Sequence, residues 1–116
     1  MALRGIRGAI TVANNAKEEI VAATKELLQK LQAANELEIN EIASIIFSAT
    51  GDLNAEFPAV AARELGWNDT PLLCARELEV PGSLAKCVRV LILVNTEQEQ
   101  TEIHHIYLRD AVNLRR

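Results

Sequence analysis

The sequence predicts a single α+β domain, and three observations support this fold class. The chain has 116 residues, which is the usual size of one domain and enough for one hydrophobic core. Hydrophobic residues make up 49% of it and charged residues 24%, the balance of an ordinary globular protein. Strand-like and helix-like segments follow one another in the order β-α-β-α-β-β-β, with no internal repeat and no long linker. We therefore expect one domain over residues 1–116.

The first half of the chain predicts two strands with a helix between them. Leu3–Val12 is rich in β-branched and apolar residues and predicts the first strand. Asn15 and Glu18 have the spacing of a capping box, so they predict the start of a helix. Apolar residues then recur every three or four positions to about Ala34, as in an amphipathic helix. Ile42–Ala49, rich in isoleucine, predicts a buried strand.

The second half predicts a short helix and three more strands. Phe57-Pro58 places a proline in the first turn of a helix that ends at Gly66. Leu72–Val80 predicts a strand that is followed by a turn at Pro81-Gly82. Cys87–Asn95 is the clearest strand of the chain, and Ile103–Leu114 predicts the last one.

Charge and composition argue against several classes of function. The net charge of −4 disfavours a nucleic acid or an anionic membrane as the main partner. The longest apolar run, Val90–Val94, is far shorter than a membrane span, and the N-terminal residues lack a secretory signal, so we expect a cytoplasmic protein. Cys74 and Cys87 are expected to be reduced thiols. The adjacent His104 and His105 would point to opposite faces of a strand, so we expect no metal site.

Arginines in unusual surroundings are the most informative residues. Arg89 interrupts a strand that is apolar on both alternating faces, so its guanidinium should lie partly out of water and needs anionic or carbonyl partners. An internal salt bridge to a glutamate and a bound small anion both explain this pattern. Arg7 lies between Gly5 and Gly8, which would let another group approach the backbone. Together with Arg63 on the second helix, these arginines suggest a pocket for a small di-anion. They do not specify a reaction.

A series of short motifs extends over nearly the whole chain in a characteristic order. They are Arg4-Gly5-Ile6-Arg7-Gly8-Ala9, Thr11-Val12, Ser48-Ala49-Thr50, Asp52-Leu53, Phe57-Pro58-Ala59, Arg63-Glu64-Leu65, Pro71, Cys74, Glu77, Lys86-Cys87-Val88-Arg89-Val90, His105-Ile106-Tyr107-Leu108 and Leu114-Arg115. In this order and spacing the chain resembles the small trimeric chorismate mutases. The resemblance implies a mixed sheet packed by helices, with three copies forming a pseudo-α/β-barrel trimer. It also implies an enzyme that converts chorismate to prephenate by a concerted [3,3] rearrangement, in aromatic amino-acid biosynthesis.

The resemblance further implies roles for individual residues of the subunit that binds the substrate. Arg89 is expected to contact the ether oxygen and a carboxylate of chorismate, while Arg7 and Tyr107 bind carboxylate groups. Glu77 and Cys74 are expected on the side of the ring hydroxyl. No cofactor or metal is implied, because a concerted rearrangement within one molecule needs neither.

Other residues are implied to complete the site from elsewhere. Phe57 and Arg63 should come from a neighbouring subunit, and Leu114 and Arg115 should belong to a tail that covers the entrance. Val60 departs from the family, in which lysine is expected at this position. Two alternatives remain at this point: a trimeric enamine or imine deaminase, and a non-catalytic domain that binds a small carboxylate.

Overall fold

The computed structural model describes residues 1–114, which form one mixed sheet with two α-helices. The regular elements are β1 (Ala2–Thr11), α1 (Lys17–Asn35), β2 (Ile42–Ala49), α2 (Val60–Glu64), β3 (Leu72–Arg76), β4 (Cys87–Thr96) and β5 (Ile106–Leu108). Short 3₁₀ turns lie at Ile39–Glu41, Gln100–Glu102 and Arg109–Asn113. The predicted order of strands and helices and the α+β class are confirmed. No helix among the described residues is long and apolar enough to cross a membrane.

The sheet has the strand order β3-β2-β4-β1-β5. β4 lies at its centre and is antiparallel to both β1 and β2, whereas the edge strands β5 and β3 are parallel to their neighbours. One face of the sheet is covered by α1 and α2, and the main hydrophobic core lies between this face and the two helices. Gly8 of β1 allows close packing there, since a Cβ atom at this position would be 2.8 Å from Leu31 Cδ1.

The opposite face of the sheet is largely uncovered within this chain, although it carries many apolar side chains. Paired strand residues share a face, and the odd-numbered positions of β1 and β4 lie on this one. Leu73 and Leu3 are 62% and 54% exposed, and Ile46, Leu91 and Leu93 are half-buried. We call this surface the open sheet face. Monomeric proteins rarely leave an apolar surface of this kind in water.

Two predicted strands are shorter than expected. β3 ends at Arg76 instead of Val80 because its only partner, β2, ends at Ala49; the last bond joins the Glu77 N–H to the Ala49 carbonyl at 3.0 Å. β5 ends at Leu108 instead of Leu114. Arg109 follows with a positive φ of 55°, which turns the chain out of the strand into a 3₁₀ turn. The length of β3 is thus limited by its neighbour, whereas β5, which begins at Ile106 instead of Ile103, ends because its own backbone turns.

The helix boundaries also differ in part from the prediction. α1 begins at Lys17 with Ala16 as its N-cap residue, and no side chain caps it, so the capping box of Asn15 and Glu18 is wrong. The second helix has only five residues, Val60–Glu64, and ends before Gly66, whose φ of +88° suits glycine. The two adjacent histidines precede β5 instead of lying within a strand.

Candidate active site

The open sheet face brings several predicted site residues into one row. Tyr107 of β5 pairs with Ala9 of β1, Ala9 pairs with Arg89 of β4, and Arg89 pairs with Ser48 of β2. Ser48 in turn pairs with Ala75 of β3. Side chains of directly paired residues are about 5 Å apart at Cβ, so this row crosses the whole sheet. Ala9, between Tyr107 and Arg89 in this row, is fully buried.

Arg7 belongs to the same face. It pairs with Leu91, two positions along β4 from Arg89, so the two arginines are diagonal neighbours with Cβ atoms about 7–8 Å apart. The side chain of Arg7 is exposed. Its backbone N–H donates a hydrogen bond of 2.9 Å to Nδ1 of His105, which therefore carries no proton on that nitrogen. Two positive charges thus face the same region of the surface, as a di-anion requires.

Arg89 combines shielding with an unused donor. Its side chain is 42% exposed, yet its Nε atom is buried and has no hydrogen-bond partner among residues 1–114. The nearest carboxylate oxygen, Oε1 of Glu77, lies 3.7 Å away, beyond hydrogen-bond distance. The salt bridge considered from the sequence is therefore present as a charge contact, but it leaves the donor free. A buried donor without a partner costs about 1–3 kcal/mol and is a common sign of a ligand site.

Glu77 is held in place by a residue that the sequence did not identify as functional. The Ser48 hydroxyl donates a hydrogen bond to Oε2 of Glu77, which leaves Oε1 facing Arg89. Ser48 therefore orients the carboxylate. The sequence alone does not identify Ser48 as a functional residue, because a serine at the end of a strand usually has a local structural role.

The start of β4 is fixed by a small polar network. The Thr50 hydroxyl accepts a hydrogen bond of 3.0 Å from the Cys87 N–H, and Asp52 accepts one of 3.0 Å from the Lys86 N–H. The Thr50 hydroxyl also donates to Asp52, and this bond, with help from the Lys86 amide, lowers the pKa of the Asp52 carboxyl. These contacts set the position of the strand two residues before Arg89.

Cys87 lies on the open sheet face beside Arg89 and is fully buried. Burial raises the pKa of its thiol, and the nearby Arg89 charge opposes that effect only in part. The thiol therefore stays neutral at ordinary pH and does not act as a counter-charge to the arginine. Cys87 and Cys74 are both free thiols.

Cys74 is not brought together with Arg89. It pairs with Phe47, which is fully buried under the helices, so its side chain lies on the opposite face of the sheet. There it packs against the main core and lines a cavity of about 440 Å³ together with Phe57 and Arg76. A direct contact between the Cys74 sulfur and a group held by Arg89 is therefore not supported within one subunit.

Phe57 and Arg63 also lie apart from the row. Phe57 precedes α2 and is 67% exposed, and Arg63 is exposed on α2. A second cavity, of about 360 Å³, is lined by Glu77 and the loop that follows it. Arg89 lines neither of these two cavities. The predicted site residues thus lie in separate places on the single chain.

The C-terminal segment covers one end of the row. Leu114 packs with Tyr107 against a small cluster of Ala9, Cys87 and Ala111. Arg115, the other predicted residue of this segment, lies outside the described residues. Within residues 1–114, no group of three His, Cys, Asp or Glu side chains is placed to hold a metal ion.

Comparisons with known proteins agree with this arrangement. The chain matches the family described as chorismate mutase type I over residues 3–116. It is 52% identical over 114 residues to a Thermus thermophilus protein named chorismate mutase AroH, covering 97% of this chain and 93% of that protein. It is 46% identical over 116 residues to the protein of the same name from Bacillus subtilis (strain 168), covering 99% and 91%.

A solved structure gives the same result for the fold. The structure of a chorismate mutase from Clostridium thermocellum superposes with a TM-score of 0.91 at 51% sequence identity, covering 92% of this chain and 96% of that one. The resemblance inferred from the sequence motifs is thereby confirmed. The chain belongs to the chorismate mutase type I family.

Proposed function

We propose that this protein is an isomerase that converts chorismate to prephenate by a concerted [3,3] rearrangement, a step of aromatic amino-acid biosynthesis. Membership of the family supports the reaction. One observation supports placing the active site on the open sheet face. The buried Nε of Arg89 has no hydrogen-bond partner among the described residues and faces the same region as Arg7 and Tyr107. A ligand oxygen would satisfy this donor.

The rearrangement breaks a carbon–oxygen bond while a carbon–carbon bond forms, so negative charge develops on the ether oxygen. It needs no acid, base, nucleophile or cofactor. A fixed positive charge with donors aimed at that oxygen stabilises the transition state more than the substrate. An acceleration of about a million-fold corresponds to about 8 kcal/mol, and one preorganised donor typically supplies about 3–4 kcal/mol. Arg89 would contribute this part, and binding the reactive chair-like conformer would contribute the rest.

The remaining groups on the open sheet face hold the substrate. Arg7 and Tyr107 bind its carboxylates, since an exposed guanidinium and a phenol are suitable donors for such oxygens. Glu77, oriented by Ser48, accepts a hydrogen bond from the ring hydroxyl. Leu114, which packs with Tyr107, closes the entrance to the site in this proposal, and the family resemblance implies the same role for Arg115.

The active enzyme is proposed to be a homotrimer with its sites between subunits. The exposed leucines of the open sheet face support packing against further copies. Phe57 and Arg63 are exposed and lie outside the row that contains Arg89, so they are suited to complete the site of a neighbour. Head-to-tail contacts of this kind form a closed ring when the rotation between subunits closes, as in a trimer with threefold symmetry. Val60, where the family is expected to carry lysine, removes one positive charge that would attract the substrate.

Cys74 is proposed to shape the cavity beside Phe57 without a covalent role. The variant Cys74→Ser should therefore retain most of the turnover. A covalent adduct between Cys74 and substrate, trapped and identified by mass spectrometry, would contradict the concerted mechanism.

We propose that the enzyme acts in the cytoplasm, with no nucleic acid or membrane as a partner. Both of its cysteines are free thiols, which is typical of a reducing compartment.

The proposed reaction is tested by incubating the purified protein with chorismate and following its ultraviolet absorbance. Loss of the chorismate absorbance with formation of prephenate is expected. A carboxylate-binding domain would bind chorismate without converting it, and a deaminase would convert an enamine substrate instead. Either of those results would refute the assignment.

The shared site is tested by mixing two inactive variants, Arg7→Ala and Arg63→Ala. If Arg63 acts on the neighbouring subunit, about a quarter of all sites contain neither substitution after random 1:1 mixing of the two chains, and activity returns. A fully active monomer at micromolar concentration would refute the trimeric site.

A further inference from the structure

Asn15, which does not cap α1, instead holds a distant loop. Its Oδ1 atom accepts hydrogen bonds of 3.0 Å from the backbone N–H groups of both Asn54 and Ala55. Its Nδ2 atom donates a bond of 2.7 Å to the side-chain oxygen of Asn54. One side chain therefore makes three hydrogen bonds to two consecutive residues of the segment between β2 and α2.

That segment carries the residues proposed to enter the neighbouring site. Immediately after Ala55, the Glu56 carboxylate accepts a bond of 2.9 Å from the Phe57 N–H and forms an ion pair of 3.5 Å with Lys17. The Phe57 amide is the chief cause of the lowered pKa of Glu56, and the Lys17 and Arg63 charges contribute. Asn15 and Lys17 thus attach this segment to the start of α1 at two successive points.

The Phe57 side chain gains little from its own subunit. It is 67% exposed, so packing within the chain does not define its position. The residues on either side are anchored, since Leu53 and Ala59 are buried. Between these two anchors the backbone has no regular structure apart from turns. Its hydrogen bonds to Asn15 restrict the first part, and the Glu56 contacts and the bond from the Val60 N–H to the Phe57 carbonyl restrict the second.

We propose that Asn15 is a positioning residue, which holds the segment bearing Phe57 and Arg63 in the conformation that completes the active site of the neighbouring subunit. This inference rests on the proposed function. A group that closes a site from another subunit must be placed within about half an ångström, and residues around it that fix its backbone supply that precision. Asn15 itself does not touch the substrate.

The first test compares Asn15→Ala with Asn14→Ala and Asn15→Asp. Asn14 is the matched control, because within residues 1–114 its side chain bonds only to Glu19 of α1, five positions along the chain. Asn15→Asp keeps the oxygen that accepts both backbone N–H groups. Its second oxygen replaces the Nδ2 donor, and a turn of the exposed Asn54 amide lets the Asn54 NH₂ group donate to it. We expect Asn15→Ala to lower kcat/KM roughly tenfold, mainly through KM, with Asn14→Ala unchanged and Asn15→Asp close to wild type. Equal activity of Asn15→Ala and Asn14→Ala in folded trimers would overturn the proposal.

The second test locates the defect within the trimer. In a mixed trimer, some sites combine the sheet of an Asn15→Ala chain with the loop of an Arg7→Ala chain. Both parts of such a site are intact, so the mixture should be more active than the sum of the two separate proteins. Mixing Asn15→Ala with Arg63→Ala should not, because both changes affect the same part. Restoration by Arg63→Ala instead of Arg7→Ala would overturn the proposal.

The reference mixture of Arg7→Ala with Arg63→Ala separates this inference from the proposed function. If the reference mixture regains activity and the mixture of Asn15→Ala with Arg7→Ala does not, Asn15 does not act on the shared segment. If an active wild-type enzyme gives no recovery in the reference mixture, the shared site is wrong and the inference falls with it. A wild-type protein that leaves chorismate unchanged would refute the proposed function itself.

Discussion

Replacing Arg89 by citrulline tests the central element of the proposed mechanism. Citrulline keeps the planar end group and the Nε–H donor but removes the positive charge. The Nε atom of Arg89 is buried without a hydrogen-bond partner among residues 1–114. It lies 3.7 Å from Oε1 of Glu77, close enough for a charge contact. The substitution therefore separates the charge of the residue from its shape.

The two interpretations of Arg89 predict effects of different size on different quantities. If the charge stabilises the ether oxygen of the transition state, its loss should cost about 3–4 kcal/mol, or roughly a hundredfold to a thousandfold in kcat. If Arg89 only forms a salt bridge to Glu77, its replacement lowers the free energy of unfolding and leaves kcat unchanged. The two side chains are 42% and 25% exposed, and such a pair contributes about 1 kcal/mol or less. In a domain of this size that is a shift in Tm of about 5 °C.

The assay measures kcat and KM with chorismate beside Tm for the wild type and each variant. Arg4→citrulline is the matched control, because Arg4 also lies in a strand and pairs with Glu99 at 3.2 Å, away from the row. We expect the Arg89 variant to lose turnover with little change in KM, and the Arg4 variant to keep it. Arg89→Lys should also fail, because an ammonium lacks the planar fork. A folded Arg89 citrulline variant with near-native kcat would refute the reasoning.

Three further predictions follow from contacts around the site and the core. Ser48→Ala removes the hydroxyl that orients Glu77 and should lower kcat/KM about tenfold, checked by steady-state kinetics; unchanged kinetics would show that the carboxylate needs no such support. Asp52 has a lowered pKa in the folded protein, so its stabilisation is present above its unfolded pKa of about 4 and is lost as the pH falls further. The Tm difference between wild type and Asp52→Asn should accordingly be largest above about pH 5 and shrink toward pH 3, and a constant difference would contradict the shift. Gly8→Ala should destabilise by about 1–3 kcal/mol in urea unfolding because its Cβ would meet Leu31 at 2.8 Å, and an unchanged midpoint would mean that the core adapts freely.

The order of the elements, the α+β class and the unusual surroundings of Arg89 could all be predicted from the sequence alone. These features are local, because the period of apolar residues reports which side of a helix or strand is buried. An arginine within Cys87–Asn95 breaks such a pattern wherever the strand lies in the sheet. The motifs also predicted the family, since their order along the chain does not depend on knowing the fold.

The tertiary structure decided which residues meet. Alternation shows that Cys74 and Glu77 lie on opposite faces of a strand, but only the pairing with β2 shows that Cys74 faces the helices and Glu77 faces Arg89. The length of β3 was likewise set by its partner strand. Asn15 had the correct spacing for a cap, yet its amide bonds to residues about 40 positions away. A polar side chain forms hydrogen bonds with whichever backbone groups the fold brings within reach. The packing of the whole chain therefore determines whether its partners are local or distant in sequence.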